Sequence, residues 1–253
     1  MPRPEEEALR ARALSFGAVA AGYAALRPTY PQDAVGFLLG RRRPLDVLDL
    51  GAGTGLLSTV VEDMGHRVRA VDPSPEMLAE LRARSPGIGT AVGTAETIPA
   101  DDASADAVVA GQAAHWFDPA PAAREISRVL RPGGVLGLIW NTRDVRVPWV
   151  AALGELIADE ARGHEADQGV VDRFATELSA DVATVDSRIV QSMTPDELVA
   201  GLGTRSYVTL MDDARRLTFL AAVRELLAGH PGTRGRQVLE LPYVTRAYRL
   251  TPR

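Results

Sequence analysis

VLDLGAGTGLL, residues 47–57, is the stretch on which the rest of the reading depends. A short apolar run carrying one acid, Asp49, leads into glycines at alternate positions, Gly51, Gly53 and Gly55, and a second apolar run follows. Residues 45–50 predict a buried strand, and residues 55–65 a helix that ends near Gly65. Glycine has no Cβ, so it accepts positive φ and lets the backbone come close to a ligand. The first turn of the next helix adds N–H groups with no partner inside the helix. A glycine turn between a strand and a helix is therefore a predicted ligand site, at the carboxyl end of its strand.

Outward from this turn the chain alternates. HRVRAVD (66–72) predicts a strand ending on Asp72, 17 residues after Gly55. Residues 74–85 predict a helix capped by Ser74, with Pro75 at its first position and Glu76 in its first turn. Strands are expected over 88–92, 105–111 and 135–140, a helix over 120–130, and a turn at RPGG, 131–134. Strands alternating with helices at this spacing predict right-handed crossovers and a doubly wound, mostly parallel α/β sheet covered on both faces. Upstream, residues 5–26 read as a helix, broken by RPTYP (27–31), and 32–40 as a second helix. Downstream, 148–180 read as mainly helical and polar. A helix over 194–202 starts at Thr194, Pro195 and Glu197; another covers 212–229. Residues 236–250 read as a terminal strand bent near Pro242.

Bulk properties exclude several classes. The 253 residues suit one substantial core, and the net charge of -5 argues against a coat for nucleic acid, which needs a basic face. There is no cysteine, which removes disulfides, thiolate metal sites and a catalytic cysteine. The four histidines show no metal-ligand spacing, and no G-x-S-x-G elbow occurs. No apolar run is long enough to span a bilayer, and MPRPEEEALRARALSF is unlike a signal peptide, so a cytoplasmic protein is expected. All 28 basic residues are arginine, which matches the codon usage of a GC-rich genome.

Two cofactor types suit the glycine turn. Dinucleotides bring a pyrophosphate and usually meet G-x-G-x-x-G, whereas this chain has G-x-G-x-G followed by Leu56 and Leu57. S-adenosylmethionine carries no phosphate, but its amino acid end presents an ammonium, for which Asp49 is a suitable partner. An acid at the end of the second strand, Asp72, can accept both ribose hydroxyls. The plainer reading of Asp72 is a turn acid ahead of Pro73.

VLDLGAGTGLLS, followed in order by VDPSPEML, GTAETIP, ADAVVAGQAAHWFD and RVLRPGGVLGLIWN, resembles a class I S-adenosylmethionine-dependent methyltransferase of the methyltransferase type 11 group. It is similar to the small-molecule branch that includes trans-aconitate methyltransferase-like proteins, and the likeness covers roughly residues 14–150. The resemblance implies a Rossmann-like sheet of seven strands, with a helical insertion after the fifth strand forming a lid. N-terminal helices (1–44) would cover the cofactor site, a core (45–145) would bind S-adenosyl-L-methionine, and 146–253 would hold the lid and complete the sheet. It also assigns roles. Asp49, Gly51, Ala52, Gly53 and Gly55 would hold the methionine end, and Asp72 the ribose. Pro73 and Met77 would pack near the adenine, as would Thr94, Ala95 and Glu96, although many relatives carry Asp where this chain has Thr94. Gln112 and Ala113 would line the sulfonium region. Residues 16–31 resemble a segment that closes over the cofactor, bringing Tyr23, Arg27 and Tyr30.

The expected reaction is O-, N- or C-methylation of a small molecule, with no nucleic acid or membrane partner. His115, after the fourth strand, has the pKa range of a general base. Trp116 and Phe117 read as core or site wall. Arg143, Arg205 and Tyr207 stand where a substrate carboxylate could be met, since the arginine fork matches one. Two alternatives share the glycine turn. One is the same fold doing non-methylating chemistry such as cyclisation or decarboxylation. The other is a nicotinamide-dependent oxidoreductase.

Overall fold

The computed structural model describes residues 26–40, 44–157, 164–209 and 211–253. Residues 5–25 of the helix expected over 5–26, with Tyr23, lie outside them, and Leu26 sits in a turn. Seven strands form one sheet in the order β3-β2-β1-β4-β5-β7-β6. They are β1 (Asp46–Leu50), β2 (Arg67–Asp72), β3 (Gly89–Val92), β4 (Ala105–Gly111), β5 (Leu130–Arg143), β6 (Ala180–Met193) and β7 (Leu239–Pro252). The first five run parallel, and β7 is antiparallel to both β5 and β6. Strand order reverses between β1 and β4, so a crevice opens beyond their carboxyl ends.

The parallel strands read as near-continuous apolar runs because both faces are covered. Leu48 and Leu50 point to one face, where α4 (Pro119–Val129) and α6 (His164–Glu177) bring Ile126, Val129 and Phe174. Val47 points to the other face, where α1 (Gln32–Leu39) and α2 (Leu56–Asp63) bring Leu38 and Val61. On α3 (Pro75–Arg84), Leu78 and Leu81 pack against Ala70 of β2. The RPGG turn is present, but inside β5. Pairing passes from Ala105–Leu130 to Ala107–Val135, and residues 131–134 loop out with Gly133 at φ +79°.

The C-terminal half departs from expectation. The helical insertion is not one block after the fifth strand; the 14-residue strand β6 divides it. Before β6, α5 (Pro148–Leu156) and α6 fall within the span expected to be helical. After β6 come α7 (Pro195–Gly203), the short α8 (Ser206–Thr209) and α9 (Asp213–Gly229). Helix α6 lies on the sheet, with Phe174 in the same core as Trp140 and Tyr248. Trp149, Leu153, Leu198, Val223 and Leu227, from α5, α7 and α9, instead build a separate apolar cluster with Leu241 and Tyr243 of β7. Because Tyr243 pairs with Arg143 at the last position of β5, this cluster stands at the carboxyl end of the sheet. The β6–β7 register runs through Pro242 with no shift.

Candidate cofactor site and acceptor cleft

The glycine turn has the geometry its composition demands. Gly51, Gly53 and Gly55 all adopt left-handed φ, at +67°, +56° and +83°. A Cβ on Gly51 would lie 2.6 Å from Ala113 Cβ, and one on Gly55 only 1.7 Å from Leu81 Cδ1. A Cβ on Gly53 would meet nothing within 4 Å. Two of the glycines thus let neighbouring elements close in, and the middle one faces open space.

Asp49 lies on the α2 side of β1, because it alternates with Leu48 and Leu50. There the Ser58 hydroxyl donates to Asp49 Oδ2 at 2.6 Å. The other oxygen, Oδ1, is buried and has no hydrogen-bond partner among the described residues; the Thr54 hydroxyl is in the same position. Burial pushes the Asp49 carboxyl up to about 7, and the nearby Asp72 charge adds to this. Asp72 Oδ2 accepts the Gly53 N–H and Oδ1 accepts the Ser74 N–H, both at 2.8 Å. The turn-acid reading of Asp72 therefore describes a real function, pinning the glycine turn to the start of α3. Each oxygen keeps a further lone pair for a ligand hydroxyl. Burial raises this carboxyl also.

Around this centre Met77 is buried, and its N–H is capped by the Ser74 hydroxyl at 3.3 Å. Pro73 links Asp72 to that cap. Thr94 bridges to Thr97 in a tight turn, Ala95 is buried in the core, and Glu96 Oε1 accepts the Asp118 N–H at 2.9 Å. Ala52 packs against the α3 cluster. At the end of β4, Gln112 takes φ +55°, uncommon for a residue with a side chain. His115 lies in the short 3-10 turn Ala114–Trp116, half-buried, its ring 4.7 Å from that of Trp116. Phe117 is a wall on two sides. It meets Phe174 edge-on and comes within 3.6 Å of the Cβ position on Gly51.

The remaining predicted residues gather on the β5 side. Tyr30 is buried in the apolar core, and its hydroxyl would lie 2.6 Å from a Cβ on Gly111. Arg27 donates from Nη2 to the Thr204 carbonyl at 3.4 Å. Arg143 and Arg205 line one cleft with Leu26, Leu153, Leu198 and Tyr243, enclosing about 260 Å³ of space, part of it open to solvent. Arg205 Nε is buried with no hydrogen-bond partner among the described residues. The side chain of Tyr207 lies outside the described residues. Sequence reasoning missed Ser58, Thr54 and Asn141. Only Thr54, inside the glycine turn, carried a local signal.

The residues present fit S-adenosylmethionine. An unpartnered buried carboxylate oxygen suits its ammonium, the open face of Gly53 gives room for backbone approach, and no phosphate-binding G-x-G-x-x-G is needed. Comparison with known proteins agrees. A family model described as a methyltransferase domain matches residues 48–138. An uncharacterized methyltransferase of Mycobacterium tuberculosis is 47% identical over 247 residues, covering 96% of this chain and 97% of the relative. A malonyl-[acyl-carrier protein] O-methyltransferase of Methylococcus capsulatus is 35% identical over 155 residues, 56% of each chain. A solved structure from Anaeromyxobacter dehalogenans, described as a candidate type II methyltransferase, superposes with a TM-score of 0.65 at 27% identity, covering 89% of this chain and 97% of its own. With a relative matched along nearly its whole length and a seven-stranded sheet of this order, the chain belongs to the class I S-adenosylmethionine-dependent methyltransferases.

Proposed function

We propose that the protein methylates a small molecule bearing a carboxylate or a hydroxyl, held in the cleft between the end of β5 and α7. The observation that carries this reading is the pairing of Arg143 and Arg205 among apolar side chains, with the Arg205 Nε buried and unpartnered among the described residues. A buried donor without an acceptor costs roughly 1–3 kcal/mol, so a ligand that supplies one is favoured there. The apolar lining suits the carbon frame of such a ligand.

S-adenosylmethionine, when bound, supplies an electrophilic methyl on a positively charged sulfur. The chain's own residues hold and orient. Asp49 takes the ammonium, and Asp72 offers its remaining lone pairs to the ribose. Pro73, Met77, Thr94, Ala95 and Glu96 flank the adenine side, while Gln112 and Ala113 face the sulfonium side. A carboxylate acceptor is already a nucleophile and needs only placement. A hydroxyl acceptor gains from a base, for which His115 at the end of β4 is the candidate.

The test is formation of S-adenosylhomocysteine with paired small acceptors, an acid against its neutral amide and a phenol against its methyl ether. Carboxylate turnover by the wild type is expected. In Arg205→Ala the acid's KM should rise about tenfold or more, with the KM for S-adenosylmethionine unchanged. His115→Ala should slow a phenol and leave an acid untouched. Equal use of acid and amide by wild type and Arg205→Ala alike would overturn the carboxylate reading.

A further inference from the structure

Asn141, two residues from the end of β5, is only 8% exposed, and each of its polar groups ties down a different segment. Its Nδ2 donates to the Thr29 carbonyl at 2.9 Å. Its Oδ1 accepts the Thr245 hydroxyl at 2.5 Å. Its backbone carbonyl accepts Nε2 of Gln112 at 2.8 Å. The chemistry fixes the amide orientation, because a carbonyl only accepts and must face the NH₂. One residue therefore joins the strap of residues 26–31 to β7, and holds the end of β4 as well.

Both held segments stand at the site. The strap crosses from α2 to α7. Tyr30 brings its hydroxyl against Gly111 beside Leu57, in the first turn after Gly55, and Arg27 reaches the Thr204 carbonyl, next to Arg205. Thr29 lies between these two anchors. Gln112 is held in its left-handed conformation by two bonds to β5. Its N–H donates to the Ile139 carbonyl at 2.9 Å, and its side chain donates to Asn141. A non-glycine residue in this region persists only where its surroundings over-determine it.

We propose that Asn141 is a positioning residue that locks the strap and Gln112 in one arrangement, setting the wall between the cofactor site and the acceptor cleft. This rests on the reading of those two sites as donor and acceptor sites. Asn141 acts through Thr29 and Gln112 and touches neither reactant. The amide offers both ends at once: its NH₂ donates to the Thr29 carbonyl, and its oxygen accepts the Thr245 hydroxyl. The Thr29 and Asn141 positions are 112 residues apart and those of Asn141 and Thr245 are 104 apart, so the lock exists only in the folded chain.

Three variants test it. Asn141→Asp keeps the acceptor toward Thr245 but sets an oxygen against the Thr29 carbonyl. Thr245→Val removes the hydroxyl that orients the amide, and Thr245→Ser keeps it. S-adenosylhomocysteine binding is measured by calorimetry, well below each variant's thermal midpoint, alongside the KM values for both substrates. Asn141→Asp should weaken binding about tenfold and raise both KM values more than it lowers kcat. Thr245→Val should weaken binding severalfold, and Thr245→Ser should restore it. Lower thermal midpoints with wild-type affinity in all variants would show a merely structural residue and overturn the inference alone. A wild type that binds no S-adenosylhomocysteine would overturn the donor-site reading, and the inference with it. Should Asn141→Asp fail to fold, the Thr245 pair carries the test.

Discussion

The three glycines of the turn look alike in sequence and differ in what they exclude. Gly55 is packed from outside by Leu81, itself fully buried, and its φ is +83°. Gly53 also has positive φ but faces open space. Gly55→Ala should lose about 2 kcal/mol or more, from backbone strain and a clash in a core that cannot yield. Gly53→Ala should cost about 1 kcal/mol, the backbone strain alone, yet weaken S-adenosylhomocysteine sharply because the methyl enters the ligand's space. Urea unfolding and calorimetric titration together decide this. Affinity falling only in step with stability at both positions would mean the turn serves the fold and not the ligand. The turn and its acid were readable because all their determinants lie within one short stretch. Ser58, which shares Asp49, was not singled out, because one serine on an ordinary helix carries no mark of what it faces.

Elements were legible in proportion to their burial. Strands β1, β2 and β4 each carry a continuous buried run, so composition alone marks them. β6 is different: Asp181, Val182, Ala183 and Thr184 are all exposed, and the strand lies at the edge of the sheet with β7 as its one neighbour among the described residues. A half-solvated edge leaves no apolar run to detect, and its place comes from pairing with a strand about 60 residues later in sequence. Helix starts were easier, since caps are local. Ser74 caps α3 as expected, and Thr194 with Glu197 forms a full capping box on α7. Thr194→Ala should destabilise the protein by about 1 kcal/mol without changing the denaturant slope. Because α7 carries Leu198 and Leu202 into the acceptor cleft, the same variant should raise the acceptor KM more than the donor KM. A shift of both by the same factor would separate α7 from substrate choice.

Across the molecule two sets of carboxylates oppose each other with pH. Asp46, Glu125 and Asp144 are each held down to about 2 by hydrogen bonds from arginines, Arg67 and Arg131 for the first, Arg128 and Arg146 for the others. Their stabilisation is present above the ordinary carboxylate value and is lost as pH falls toward 2. These pairs are solvent-facing, so the effect is small. Asp49 runs the other way. Its ordinary value is 3.8 and burial lifts it to about 7, so folding costs nothing for this group below 3.8 and progressively more up to about 7. The ligand-free protein should be most stable near pH 4, soften from there up to about pH 7, and lose no more from this group above that. Asp49→Asn should flatten that slope and raise Tm at pH 8, by on the order of 2 kcal/mol in stability, while weakening S-adenosylhomocysteine by tenfold or more. Thermal melts from pH 4 to 8 check it, and an undiminished slope in the variant would assign the softening elsewhere.

The proposed donor half is written in local sequence: a strand, a glycine turn, an acid on each of two strand ends, and the parallel order that places them side by side. Those features depend on neighbours within a few residues and on a handedness common to all such crossovers. The proposed acceptor half needed the fold. Arg143 and Arg205 are candidates from their places along the chain, but only β7 beside β5 and α7 over its end put the two in one cleft. Asn141 became a junction only when Thr29 and Thr245 arrived from opposite ends of the chain. Contacts at that separation are set by sheet order and packing, and no local spacing in the sequence records them.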